Sequence, residues 1–365
     1  MARRIVWSLV LCIAVLLCGC GKAKEEETVP TTVETEPVVV VTETTEATEP
    51  PTTAPTEPPE EHFVITLAGD CTLGTMPRHK DASNGFHEMM AGDYKYPFAN
   101  VVEYFENDDF TMVNLEGVLG DEGYAANKMF VFKGPADYVN ILTENSVEAV
   151  TLANNHSMDY GTAGYNATKS ILEEAGVSYV EKDCSSIVTT ESGLTVGLYA
   201  TTFVVDLEDM REEVASLREQ GAEIVIMASH WGKEGYYYPI TDQERYAHEA
   251  IDAGVDIVFG HHAHVLQKME EYNGGLILYS MGNFSFGGNI QPPDLDTVLI
   301  QQEYIRDSEG NITKGELTVV PCSISSVPKV NNYQPTPYEE GTEEYQRVLD
   351  KLAGLWKGRT LELSY

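Results

Sequence analysis

A chain of 365 residues with 58 acidic against 23 basic side chains carries a formal charge of −35. So acidic a balance argues against nucleic-acid backbones and anionic lipid head groups as partners. The charge does not by itself select a cationic substrate.

The first residues read as a targeting segment. Arg3 and Arg4 precede the apolar run "IVWSLVLCIAVLL", which has the length of a secretory signal rather than of a membrane span. The following "LCGC" resembles a bacterial lipobox. Residues 1–19 are therefore read as a lipoprotein signal peptide and Cys20 as the lipidated first residue of the mature chain, with a plain secretory signal or an uncleaved anchor as the alternatives. An extracytoplasmic protein held on the cell membrane by a lipid anchor follows from this. Residues 20–61 are built almost wholly from Thr, Glu, Pro and Val. Missing backbone donors, like-charge repulsion and scarce apolar surface make that stretch a disordered tether.

Residues 62–328 read as one large domain, followed by a linker and a peripheral helix in 329–365. Short apolar or β-branched runs ("FVITLAG", "FTMVNLE", "VEAVTLA", "TVGLYA", "EIVIMAS", "DIVFG", "LILYSMG") alternate with amphipathic segments of helical length, such as "YPFANVVEYFENDD" and "GTAGYNATKSILEEAG". That alternation predicts an α/β fold with covered, largely parallel sheet. "DTVLIQQEYIRDSEGNITKGELTVVPCSI" predicts an antiparallel hairpin of a second sheet. Cys71, Cys184 and Cys322 fall in the domain without metal-binding spacing and are read as packed thiols, a Cys184–Cys322 bridge being the alternative.

Chemistry gathers at the ends of the predicted strands. Asp70, Glu116, Asn155 with His156, His230, and His261, His262 and His264 each follow an apolar run. In α/β sheets the carboxyl ends of strands converge on one edge, where such folds place their sites. Any one of these residues alone is more simply a cap, an Asx-turn or a satisfied structural histidine; so many together favour a site. His262 and His264, at i and i+2 on an extended segment, can splay around one cation or a pair. With carboxylates and an amide they make a mixed O/N donor set suited to Mn, Fe, Zn or Ni, and the lack of thiolates argues against structural zinc.

These residues resemble the blocks of the calcineurin-like metallophosphoesterase superfamily. More closely, "GDCTLG", "VNLEG", "FKGP", "LANNHSMDYG", "HWGKEGYYYP", "GVDIVFGHHAHVLQ" and "YSMGNFSF" resemble the CapA family, associated with poly-γ-glutamate capsule synthesis. The resemblance implies a β-sandwich of two facing sheets flanked by helices, a four-layer α/β/β/α arrangement, with two divalent transition metals at the strand ends. It implies Glu116 bridging the metals, Asp70 on one and Asn155, His230 and His262 on the other, with His264 a further metal ligand through its pairing with His262 in the HxH segment. His156 would be the acid outside the metal shell and His261 would orient a ligand; Asn283 would help to bind substrate. Asp159 would either orient His156 or cap the helix beginning near Gly161, the cap being preferred. The superfamily's first block would carry a histidine where Thr72 stands. Phosphoester hydrolysis in exopolymer synthesis or export, alongside membrane proteins of that machinery, is the activity implied. A non-catalytic polymer-handling subunit is the alternative.

Overall fold

The computed structural model describes residues 59–361, so the stretch read as a signal peptide, Cys20 and nearly all of the stretch read as a tether lie outside the described residues. The first strand, β1 (Glu61–Thr72), is followed by β2 (Phe110–Leu115), a short parallel pair β3 (Val118–Leu119) and β4 (Lys133–Gly134), then β5 (Ala149–Thr151) and β6 (Ser178–Val180). The chain continues through β7 (Cys184–Thr189), β8 (Thr195–Thr202), β9 (Ile224–His230), β10 (Ile257–His261), β11 (Met269–Tyr272) and β12 (Gly275–Leu278). It then returns through β13 (Asn283–Phe286), β14 (Asp296–Arg306), β15 (Ile312–Ser323) and β16 (Thr336–Pro337).

Two sheets result. One runs β16-β15-β14-β1-β2-β5-β6 with β13 also paired to β1, and the other runs β11-β12-β10-β9-β8-β7. The β1-β2-β5-β6 and β8-β9-β10-β12 portions are parallel. Period-two alternation explains how each strand serves two layers. Ile65, Leu67, Met112 and Ala149 join Leu198, Ile226 and Phe259 in a core between the sheets, whereas Ala68, Val113 and Val150 face the opposite way, into a core beneath helices.

The helices are α1 (Phe86–Met90), α2 (Val102–Glu106), α3 (Val139–Thr143), α4 (Gly161–Ala175), α5 (Leu207–Glu219), α6 (Thr241–Asp252) and α7 (Glu343–Leu352). In α5 the Asp206 side chain caps the start by accepting from Glu208 and Asp209 amides, and Met210, Val214 and Leu217 bury one face. The first four helices cover the outer face of the larger sheet, and α5 and α6 cover that of the smaller one. Helix, sheet, sheet and helix thus make the four layers expected from the sequence. Among the described residues no helix is long and apolar enough to cross a membrane.

Three expectations change. The β14-β15 hairpin joins the first sheet, because β14 pairs antiparallel with β1 from Glu61 to Ala68. The segment "YPFANVVEYFENDD" makes only a 3-10 turn and the five-residue α2, Pro97 and Asn100 leaving little uninterrupted helix. Cys71, Cys184 and Cys322 are all free thiols, and Cys184 is exposed on β7 rather than packed.

Candidate metal centre

Strand register brings the polar residues together. Asp70 lies opposite Asn114 of β2 on one side and Asn283 of β13 on the other, and in the second sheet His230 lies opposite His261. The carboxyl ends of both sheets therefore meet over Asp70, Glu116, His230, His262 and His264, all buried. His262 and His264 do not occupy extended backbone. Their φ angles of 83° and 55° are both left-handed, a conformation uncommon for residues with a side chain and concentrated at functional sites.

Two groups of donors converge. On one side Asn155 Oδ1 lies 2.7 Å from His230 Nε2, which lies 3.1 Å from His262 Nδ1. On the other, oxygens of Asp70 and Glu116 and a nitrogen of His264 all lie within 4.8 Å of one another. Glu116 stands between them, with Oε1 3.6 Å from His230 Nε2, 3.8 Å from His264 Nε2 and 3.9 Å from His156 Nε2. It is fully buried, yet neither of its oxygens has a hydrogen-bond partner. An unpaired buried carboxylate costs several kcal/mol in a dry interior, on the order of the desolvation of one ion. A cation among those donors would remove that cost.

Electrostatics divide the donor set: burial disfavours charge on His264, but Glu116 and Asp70 outweigh it and raise that imidazole to about 10. Burial, which the charge of Asp70 reinforces, pushes the Glu116 carboxyl well above the usual range, although the imidazole of His264 opposes it. Burial also raises Asp70, but hydrogen bonds from His261 and His264 outweigh it and hold that carboxyl well below normal. His230 is lowered well below the ordinary imidazole value by burial and by His262, and His262 is lowered to about 3 by burial and by His264. Neutral imidazoles keep a lone pair for a metal.

The surrounding side chains hold these donors in place. His261 Nδ1 is 2.8 Å from Asp70 Oδ1, and Asn114 Nδ2 donates to the same oxygen at 2.8 Å. Asn283, expected on substrate, is buried and turned to His264, its Oδ1 2.8 Å from Nδ1. Asn154 ties the turn after β5: its amide donates to Leu115 O, and its Oδ1 accepts from the His156 amide. No imidazole stands at Thr72, which leaves Asp70, Glu116 and His264 as the donors on that side.

Asp159 needs correction. Tyr160 is the N-cap of α4 and no side chain caps that helix. Asp159 instead meets His156 Nδ1 at 2.8 Å, accepts the Phe132 amide and pairs with Lys128. With Nδ1 facing a carboxylate, Nε2 of His156 is the nitrogen turned toward Glu116.

Sequence reasoning missed Lys128, Asn114, Phe203 and Glu234. Phe203 packs edge-on against His262, with ring centroids 4.9 Å apart. Glu234, His262 and His264 form a second group with ligand atoms within 4.8 Å. Glu234 lies four residues past His230 in "HWGKEGYYYP", the one local sign that it belongs here.

The family described as "Bacterial capsule synthesis protein PGA_cap" matches residues 64–288. The chain belongs to that family. It is 31% identical to the "Capsule biosynthesis protein CapA" of Bacillus anthracis over 294 residues, 72% of this chain and 68% of that protein. It is 28% identical to the "PGA biosynthesis protein CapA" of Bacillus subtilis over 68% of this chain and 71% of that one. Among solved structures, the NAD nucleotidase of Haemophilus influenzae aligns over 80% of this PGA_cap chain and 62% of its own, with a TM-score of 0.38 and 12% identity.

Proposed function

We propose that this PGA_cap-family protein is a metal-dependent phosphoester hydrolase. It would act on the outer face of the cell membrane, anchored through lipidated Cys20, in capsule or poly-γ-glutamate synthesis or export alongside membrane proteins of that machinery. The observation that carries the catalytic part is Glu116, buried and unpartnered among three imidazoles. The capsule part rests on the relatives named above.

Asp70, Glu116 and His264 would hold one divalent transition cation and Asn155, His230 and His262 a second, with Glu116 between them. When bound, such cations supply acidified water and Lewis-acid polarisation of a phosphoryl oxygen. The protein's own groups do the rest. Asp159, fixed by the Phe132 amide and Lys128, keeps a proton on His156 Nδ1 and so aims Nε2 into the centre. From there His156, once protonated, gives a proton to the departing oxygen. Phe132, with its ring centroid 4.4 Å from that of His156, covers one side of the imidazole and restricts water there.

The test is hydrolysis of generic phosphomonoesters and phosphodiesters by wild type and His156→Ala. A loss of about 10²-fold or more is expected for a positioned proton donor, and equal rates would remove His156 from the reaction. Growth in labelled lipid precursor should tag Cys20, and an unlabelled mature protein would refute the anchor.

A further inference from the structure

The loop between β9 and α6 brings an acidic side chain to the solvent side of the centre. Glu234 is exposed, and among the described residues it makes no hydrogen bond or ion pair. Its carboxylate nevertheless lies with the buried nitrogens of His262 and His264 inside one 4.8 Å group. A free surface glutamate ordinarily turns to water; this one stands over two imidazoles on left-handed backbone.

Its placement is built into the fold. Before it, the Trp231 indole donates to Tyr279 O at 3.0 Å. After it, the Gly235 amide donates to Ala263 O at 2.8 Å, tying the loop to the residue between the two histidines. Leu361 then donates its amide to Gly235 O at 3.0 Å. Gly235 has a φ of 72° and no room for a Cβ, which would collide with the Leu361 carbonyl, so only glycine fits that crossing. Both flanks of Glu234 are thus fastened while its side chain is left open.

The donor count gives this placement a purpose. On the His264 side the centre offers two carboxylates and one imidazole, which leaves a transition cation with an open position. From these observations we infer that Glu234 is a further ligand for the divalent transition cation on the His264 side, reaching it from beside His262, and that it closes the centre on its solvent side. The inference rests on the metal-centre reading above and adds a third carboxylate to it.

The experiment uses the full chain titrated with Mn²⁺ and with Co²⁺, comparing wild type and Glu234→Gln. Glu234→Gln should weaken binding of at least one Mn²⁺ by about tenfold or more, shift the visible Co²⁺ bands as a ligand is lost, and leave the melting temperature of the metal-free protein unchanged. Weaker binding with an unaltered Co²⁺ spectrum would mean a through-space charge effect and overturn ligation. Equal binding by wild type and variant would overturn the Glu234 assignment alone and leave the centre standing. A wild type that binds neither ion would overturn the centre and Glu234 together.

Discussion

Beneath α7, Lys351 Nζ lies 2.6 Å from both Asp294 and Asp296, and Arg347 meets Asp296 through two bonds of 2.7 Å, whereas at the strand ends Glu116 is as deeply buried and bonds to nothing. Tyr237 and Tyr338 donate their hydroxyls to Asp294 and Asp296 respectively. Burial raises Asp296, but Arg347 and Lys351 outweigh it and hold its carboxyl below normal; Glu116 ends far above normal. Both clusters have lost water. Only one has replaced it with protein groups. A buried charge network that closes on itself docks a helix, and one left open has the character of a binding site.

The comparison would be broken most sharply by exchanging its two outcomes. Lys351→Ala leaves Asp294 without a cation and Asp296 with Arg347 alone, and should lower stability by about 3 kcal/mol in denaturant melts. Glu116→Gln removes an uncompensated charge and should leave the metal-free protein as stable as wild type or more so. Equal destabilisation by the two would end the distinction.

Cation binding should reveal the open cluster by mass action. Mn²⁺ at a hundredfold excess over its dissociation constant should stabilise the wild type by about 2.7 kcal/mol, seen as a rise in melting temperature. Glu116→Gln should show little of that rise.

Asp108 lies between the two cases, since the Thr111 hydroxyl donates to it at 2.6 Å and no cation reaches it among the described residues. Burial pushes its carboxyl up to about 7. A raised carboxyl binds its proton more tightly folded than unfolded, so stability is greatest below the unfolded value and falls as pH rises through the folded one. Between pH 5 and 8 the wild type should lose on the order of 1–3 kcal/mol relative to Asp108→Asn. An identical pH profile for both would remove Asp108 as the cause.

The smallest effect concerns an exposed charge. Asp206 caps α5 through two backbone amides, and Asp206→Ala should cost about 1 kcal/mol in thermal melts. A larger loss would mean that surface carboxylates here matter as much as buried ones.

Much of the centre could be read from strand ends, because apolar runs that stop at Asp, Glu, Asn or His mark where a parallel sheet delivers side chains. Asp70, Glu116, Asn155, His230, His262 and His264 all stand within that one region of the fold. What could not be read depends on non-local geometry. Asn114 looks like a stray polar residue in the core strand "FTMVNL" until its pairing with Asp70 is known. Glu234 is one acid among 58, and its position depends on Ala263 and Leu361, far along the chain. The left-handed turns at His262 and His264 leave no sign in "HHAH". The β14-β15 hairpin was legible as a hairpin, but its partner β1 lies more than two hundred residues earlier, and local pattern carries nothing about so distant a register. Asp159 shows the opposite failure. A carboxylate before a helix is usually a cap, and here the imidazole three residues earlier claimed it.

The central claim is that Glu116 is buried to hold cations, and metal analysis of the full-length protein after dialysis from Mn²⁺ or Zn²⁺ tests it most directly. Two ions per chain in the wild type and fewer in Glu116→Gln is the predicted result. A wild type that emerges ion-free, or a Glu116→Gln variant that retains the same two ions, would contradict it.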